Sequence, residues 1–367
     1  MNSRTIQFVL VLSALCGHAF TAKAFNCGST GAYGPLTITT NTTLDLPDDG
    51  IFHCTTIAVA GNATLTFNRN AINTPVYLLA TGDAVIDGVI DVSGGNSWWP
   101  QPQVPGRGGP GGFDGGSGGG YFVGQTNGGV GLGPGGGVGH GTFGNYGNQR
   151  LVPLIGGSGG GGTSGSPGWA GSGGGGAILV ASNTRIAVNG TISAFGGYGC
   201  NTPLGSGGAI RLIAPTVNGS GMVSARQTEE CGIAGNPGRV RIDCEDNRAY
   251  RSLRLEGMVS RGMQMFVFPP NPPRLDIITV AGRAIPEGTN NSVLIELAVD
   301  SSTNQVVRVQ ARYFTNDVPV RVAVTPEHGP RGEFDAIILQ SSGSPPFADV
   351  PVTITAGSVS QIHAWTR

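Results

Sequence analysis

Apolar and polar positions alternate along this chain in short runs, and the runs recur in a fixed order. A strand, a turn, a glycine-centred pair of strands and further glycine read Val76-Tyr77-Leu78-Leu79-Ala80 and then Asp87-Gly88-Val89-Ile90-Asp91-Val92-Ser93-Gly94-Gly95. The cassette returns as Ala177-Ile178-Leu179-Val180-Ala181 with Asn189-Gly190-Thr191-Ile192-Ser193-Ala194. It returns again as Ala209-Ile210-Arg211-Leu212-Ile213 with Gly219-Ser220-Gly221-Met222-Val223-Ser224. A last copy joins Arg239-Val240-Arg241-Ile242-Asp243 to Glu256-Gly257-Met258-Val259-Ser260. Upstream, Leu36-Thr37-Ile38-Thr39, Thr43-Leu44-Asp45-Leu46, Ile57-Ala58-Val59 and Thr64-Leu65-Thr66-Phe67 alternate with period two. No segment sustains a helical period. One such unit cannot bury its apolar face alone, whereas stacked units share a continuous core. The pattern predicts an all-β chain with a parallel β-solenoid, or β-helix, over residues 25–268.

Two changes of texture divide the chain. Residues 94–176 interrupt the cassettes and hold 37 of the chain's 65 glycines. That composition reads as disorder. Yet charge is nearly absent and aromatics are spread through the run, from Trp98 and Trp99 to Tyr121, Phe122 and Trp169. The other reading is packed, extended, polyproline-II-like segments whose backbones approach closely because glycine has no side chain. As a repeat insertion, the run should project from one side of the solenoid. The second change is Pro269-Pro270-Asn271-Pro272-Pro273, a stiff linker. Beyond it, residues 274–367 predict seven short strands: Leu275–Val280, Val293–Val299, Val306–Tyr313, Val318–Val324, Phe334–Leu339, Val350–Ile354 and Gln361–Trp365. Regular spacing and turn residues between them predict a small Ig-like or fibronectin-like β-sandwich.

Residues 1–24 read as a secretory signal: Arg4, the apolar stretch Ile6 to Leu15, and the small-x-small site Ala22-Lys23-Ala24. This predicts a protein secreted or held at the cell surface. No other stretch is apolar enough to predict a transmembrane span. Lys23 is the sole lysine, so after cleavage 19 arginines face 22 acidic residues, a net charge of −3. That balance offers no basic face for nucleic acid and none for an anionic membrane. Export permits disulfides. Cys27 with Cys54 would pin the N-terminal end of the stack, Cys200 with Cys231 is the next pairing, and Cys244 is left over.

The run Gly173-Gly174-Gly175-Gly176-Ala177-Ile178-Leu179-Val180-Ala181 with Gly190-Thr191-Ile192-Ser193-Ala194, followed by Gly207-Gly208-Ala209-Ile210-Arg211-Leu212, resembles uncharacterised glycine-rich β-solenoid proteins exported by bacteria. Val306 to Arg312 with Val318-Pro319-Val320-Arg321-Val322 resembles the small sandwich often attached to them. The resemblance implies a shape and not an activity.

Candidate chemistry is sparse. Gly139-His140-Gly141 matches one short motif of polygalacturonases, but their Asn-Thr-Asp and Arg-Ile-Lys runs are missing. Asp83, Asp87 and Asp91 are spaced to line one face of a strand. Paired carboxylates serve glycoside hydrolysis and rows of oxygens bind calcium, while outward acidic residues also simply face solvent. Neither a nucleophile elbow nor a phosphate loop nor a metal-ligand spacing of histidines is present, so no catalytic residue and no cofactor is expected. Trp98, Trp99, Tyr121 and Trp169 suit a flat platform for sugar rings, or act as staples holding the glycine-rich run.

These features predict a non-catalytic surface or extracellular protein with a structural or adhesive role, meeting polysaccharide or cell-surface proteins. A carbohydrate-binding or polysaccharide-degrading β-helix protein is the alternative. Ice binding is a further one, disfavoured by the lack of a regular Thr-x-Thr ladder.

Overall fold

The computed structural model describes residues 24–97, 104–121, 126–137, 146–165, 167–199, 203–227, 236–289, 293–298, 300–326, 331–354, 357 and 359–366. The described chain is all-β, with a single 3-10 turn and no α-helix. None of its helical segments is long and apolar enough to cross a membrane.

The cassettes are successive turns of chain that pair in parallel, residue for residue. The first two hold β1 (Gly34–Ile38) and β2 (Thr42–Asp45), then β3 (Ile51–Val59) and β4 (Thr64–Asn68). The third holds β5 (Val76–Ala80), β6 (Ala84–Ile86) and β7 (Val89–Asp91). The fourth holds β8 (Ala177–Ser182), β9 (Arg185–Val188) and β10 (Thr191–Ser193). The fifth holds β11 (Ala209–Ile213), β12 (Thr216–Asn218) and β13 (Met222–Ser224). The sixth holds β14 (Arg239–Asp243), the 3-10 turn Ala249–Ser252 and β15 (Arg254–Glu256), and β16 (Met258–Gly262) starts a seventh.

Register gives every coil the same inward residues. Val76, Ile178, Ile210, Val240 and Val259 form one column, and Leu65, Ile90, Ile192, Val223 and Leu255 another. These side chains share one core running the length of the stack. The last copy is set differently from its sequence reading. Arg254-Leu255-Glu256 pairs with β13, and Met258-Val259-Ser260 belongs to the next coil beside β14. Leu255 supplies the apolar residue for the inward column, and Gly257 (φ 116°) turns the chain between the two strands.

β5, β8 and β11 are buried on both faces. Leu79, Ala177, Leu179, Ala181, Ala209 and Ile213 point away from the core into a second cluster with Phe25, Cys27, Leu151, Leu154 and Val267. Three separate stretches of chain therefore cover this face, which explains why these strands are almost uniformly apolar.

The glycine-rich run is ordered wherever it is described, by a pattern with period three. Phe113, Gly116 and Gly119 donate N–H bonds to Gly157, Gly160 and Thr163 at 2.8–3.0 Å. Those three donate to Gly175, Ser172 and Trp169, and Gly174, Gly171 and Gly168 donate back to Phe113, Gly116 and Gly119. In another direction, Gly159, Gly162 and Gly165 donate to Leu132, Gly129 and Thr126. A strand bonds in one plane, on alternate residues. Here successive residues bond to different neighbours, as three residues per turn requires. These residues therefore bond as packed, extended segments side by side. Side chains are excluded because the gaps are too narrow: a Cβ on Gly171 or Gly174 would meet the carbonyl of Gly160 or Gly157 closer than 3.0 Å. The bundle is bonded to the coils through Gly176 N to Val92 O, Gly173 N to Gly95 O and Gly175 N to Ser206 O.

Residues 274–366 form two antiparallel sheets. One orders β17 (Arg274–Val280), β18 (Arg283–Ala284), β19 (Asn304–Arg312) and β22 (Phe347–Thr353) as β18-β17-β19-β22. The other orders β20 (Val318–Pro326), β21 (Gly332–Ile338) and β23 (Ser360–Thr366) as β21-β20-β23. Both contribute to one valine-rich core, including Val280, Val307, Val309, Val320, Val322, Val350 and Val352. Six of the seven expected strands form. Val293–Val299 does not: residues 293–298 have no strand pairing, and Leu294 lies exposed outside the core. The outer face of the three-stranded sheet rests on the glycine bundle. Trp365 packs with Ala323 against Leu132 and Phe113, its ring centroid 5.9 Å from that of Phe113. Arg331 donates to the Val130 carbonyl at 2.7 Å.

Candidate functional site

The three expected carboxylates do not share one strand face, because the chain turns a corner between β6 and β7. Each reaches instead to the next coil. Asp83 accepts from the Thr184 hydroxyl (2.6 Å) and from Arg185 Nη2 (2.7 Å). Asp87 accepts from Asn189 Nδ2 (2.8 Å), and Asp91 from Ser193 Oγ (2.8 Å) and the Ser93 N–H. The Thr184 bond first, then Arg185, hold the Asp83 carboxyl below its usual range. Among the described residues, no three His, Cys, Asp or Glu side chains gather as a metal would need.

These bonds belong to a ladder on the outer face. Asp87 with Asn189 and Asp91 with Ser193 stand 102 residues apart, one coil plus the glycine-rich run. The same kind of bond joins Thr43 to Thr66 and Asn68 to Asp45 across 23 residues, and Ser224 to Glu256 across 32. Thr43 pairs with Thr66, and one register column reads Asp91, Ser193, Ser224, Glu256. It mixes hydroxyls and carboxylates instead of repeating threonine.

Two of the four aromatics expected to form a platform lie among the described residues. Trp98 and Trp99 lie outside the described residues, as do Phe122 and His140. Tyr121 is 41% exposed in a turn closed by its N–H on Gly118 O. Trp169 is half-buried, its N–H on Thr163 Oγ1 at 2.7 Å. Gly168 donates to Gly119, so both aromatics sit at one end of the bundle. Two aromatics outside the expected set do the stapling: Phe113 under Trp365, and Tyr146, whose hydroxyl donates to Gly156 O. The sequence signal for Phe113 was its place among glycines too small to fill space.

The Cys27–Cys54 disulfide does not form. Both thiols are free and buried on opposite faces of the sheet, Cys54 in the inner core and Cys27 in the outer cluster with its Sγ on Ala80 O. Burial pushes the Cys54 and Cys244 thiols up to about 11. Both are therefore poor nucleophiles at neutral pH. Cys200 and Cys231 lie outside the described residues.

The covered face of β11 and β14 holds a charge cluster that the alternating pattern did not announce. Arg211, 1% exposed, and Arg241 both bond Asp243, at 3.0 and 2.6 Å. Gln264 donates its N–H to Asp243 Oδ1 and accepts from Arg211, which also lies 5.2 Å from the Phe266 ring centroid. One carboxylate thereby anchors two guanidiniums and the strand-to-linker segment. The chain matches no protein-family model, no curated protein and no solved structure.

Proposed function

We propose that this chain is an exported, non-catalytic surface or extracellular protein with a structural or adhesive role. On this reading the parallel coils are a β-solenoid and the two antiparallel sheets an Ig-like sandwich, similar to uncharacterised glycine-rich solenoid proteins exported by bacteria. The observation that supports it best is the outer ladder. Asp83, Asp87, Asp91, Ser193 and Glu256 serve as coil-to-coil struts, so the polar chemistry of this face goes into stiffness. The glycine bundle adds a second bonded layer. The test is the fate and effect of the protein in cells that make it. Export predicts an extracellular or surface-bound form beginning at Phe25, and adhesion predicts that beads coated with it attach to those cells. A chain kept inside the cell with residues 1–24 intact overturns the reading.

A carbohydrate-binding role is the second reading, favoured by the placement of Tyr121 and Trp169 at one end of the bundle. Retention on neutral polysaccharide columns that Trp169→Ala and the Trp98→Ala/Trp99→Ala pair abolish would establish it. Equal passage of all variants would remove it.

A further inference from the structure

The coil stack ends at β15 and β16, which among the described residues have a strand partner on one side only. The 3-10 turn lies at this end, with Tyr250 and Leu253 packed into the core. A cleft of about 380 Å³ opens at this end, lined by Asn247, Tyr250, Arg251, Leu253, Leu255 and Arg261. That volume falls within the usual range for small-ligand sites.

Register makes Arg261 notable. The inward column Phe52, Leu78, Val180, Leu212, Ile242 is apolar from the second coil to the sixth and reaches Arg261 in the last. Its guanidinium stands 5.5 Å from the Tyr250 ring centroid. Nearby, Arg226 and Arg254 are neutralised by Glu256, whereas among the described residues neither Arg251 nor Arg261 forms an ion pair. Glu245 and Asp246 precede Asn247, and Asp246 Oδ1 is engaged by the Arg248 N–H. The cleft thus combines two leucines, Leu253 and Leu255, with two guanidiniums that form no ion pair among the described residues and an exposed amide. Guanidinium donors match a carboxylate in pairs, and apolar side chains accept the C–H face of a sugar ring.

We propose that the cleft at this end of the stack binds an acidic saccharide. Arg251 and Arg261 hold its uronate carboxylates, Asn247 meets its hydroxyls, and Leu253 and Leu255 lie under a ring. This site is separate from the bundle aromatics and does not depend on the structural reading of the whole chain.

The test is titration calorimetry of the full secreted chain with a galacturonic acid trimer and with the neutral galactose trimer. The acid trimer should bind at least tenfold more tightly than the neutral one and weaken with added salt. Arg251→Gln and Arg261→Gln should each lower its affinity about tenfold while leaving the thermal midpoint and circular dichroism unchanged. No binding, equal binding of the neutral trimer, or full affinity in both variants overturns the proposal. Self-association in sedimentation that Arg261→Gln abolishes, without trimer binding, also overturns it and assigns the cleft to a second copy of the chain.

Discussion

Asp243 is the residue on which the covered face of the stack turns. It is fully buried between Arg211 and Arg241, and its loss leaves two guanidiniums without an anion. Asp243→Asn should therefore destabilise the protein by about 3–5 kcal/mol, read by denaturant unfolding. The glycines divide by surroundings in the same way. At Gly174 a Cβ meets the Gly157 backbone, which cannot swing aside, so Gly174→Ala should cost about 1–3 kcal/mol or more. At Gly61 the nearest atom is 3.7 Å away, so Gly61→Ala should be neutral within about 0.5 kcal/mol. Composition alone treats the two glycines alike. The cysteines show a related gap: nearness in sequence suggested Cys27 with Cys54, but Cys54 points from β3 into the inner core, whereas Cys27 lies in the segment before β1 and packs in the cluster on the other face of the sheet.

At the scale of elements, the cassettes were legible because inward positions repeat as aliphatics at constant register, from Val76 through Ile178 and Ile210 to Val240. The boundary of the last copy was not. Arg254-Leu255-Glu256 and Met258-Val259-Ser260 both place an apolar residue between polar or flexible neighbours, and only pairing with β13 or β14 separates them. The Asp83, Asp87 and Asp91 series was visible as a spacing, but its partners lie about a hundred residues downstream, beyond any local pattern. The ladder has an acid dependence. Burial pushes the Glu256 carboxyl up, but the Ser224 hydroxyl, Arg254 and Arg226 outweigh it, and its value falls below the ordinary 4.5. Its contribution is complete above pH 4.5 and is lost as pH falls through the lowered folded value. Thermal midpoints should decline over that acid window, and Glu256→Gln should flatten the decline while being less stable at pH 7.

At the scale of the whole molecule, the glycine-rich run is the joint between the parts. It bonds to the coils through Gly173, Gly175 and Gly176, and carries the three-stranded sheet on Phe113 and Leu132. Sequence could predict neither contact, since glycine leaves no side-chain pattern and the partners of Trp365 are remote. The run's order rests on backbone bonds in three directions, so amide hydrogen exchange on the intact chain tests it most directly. The amides of Gly116, Gly157, Gly160, Gly171 and Gly174 should exchange as slowly as those of β8 and β11. Exchange of these glycines at the rate of an unstructured chain, beside protected coil strands, would contradict the account.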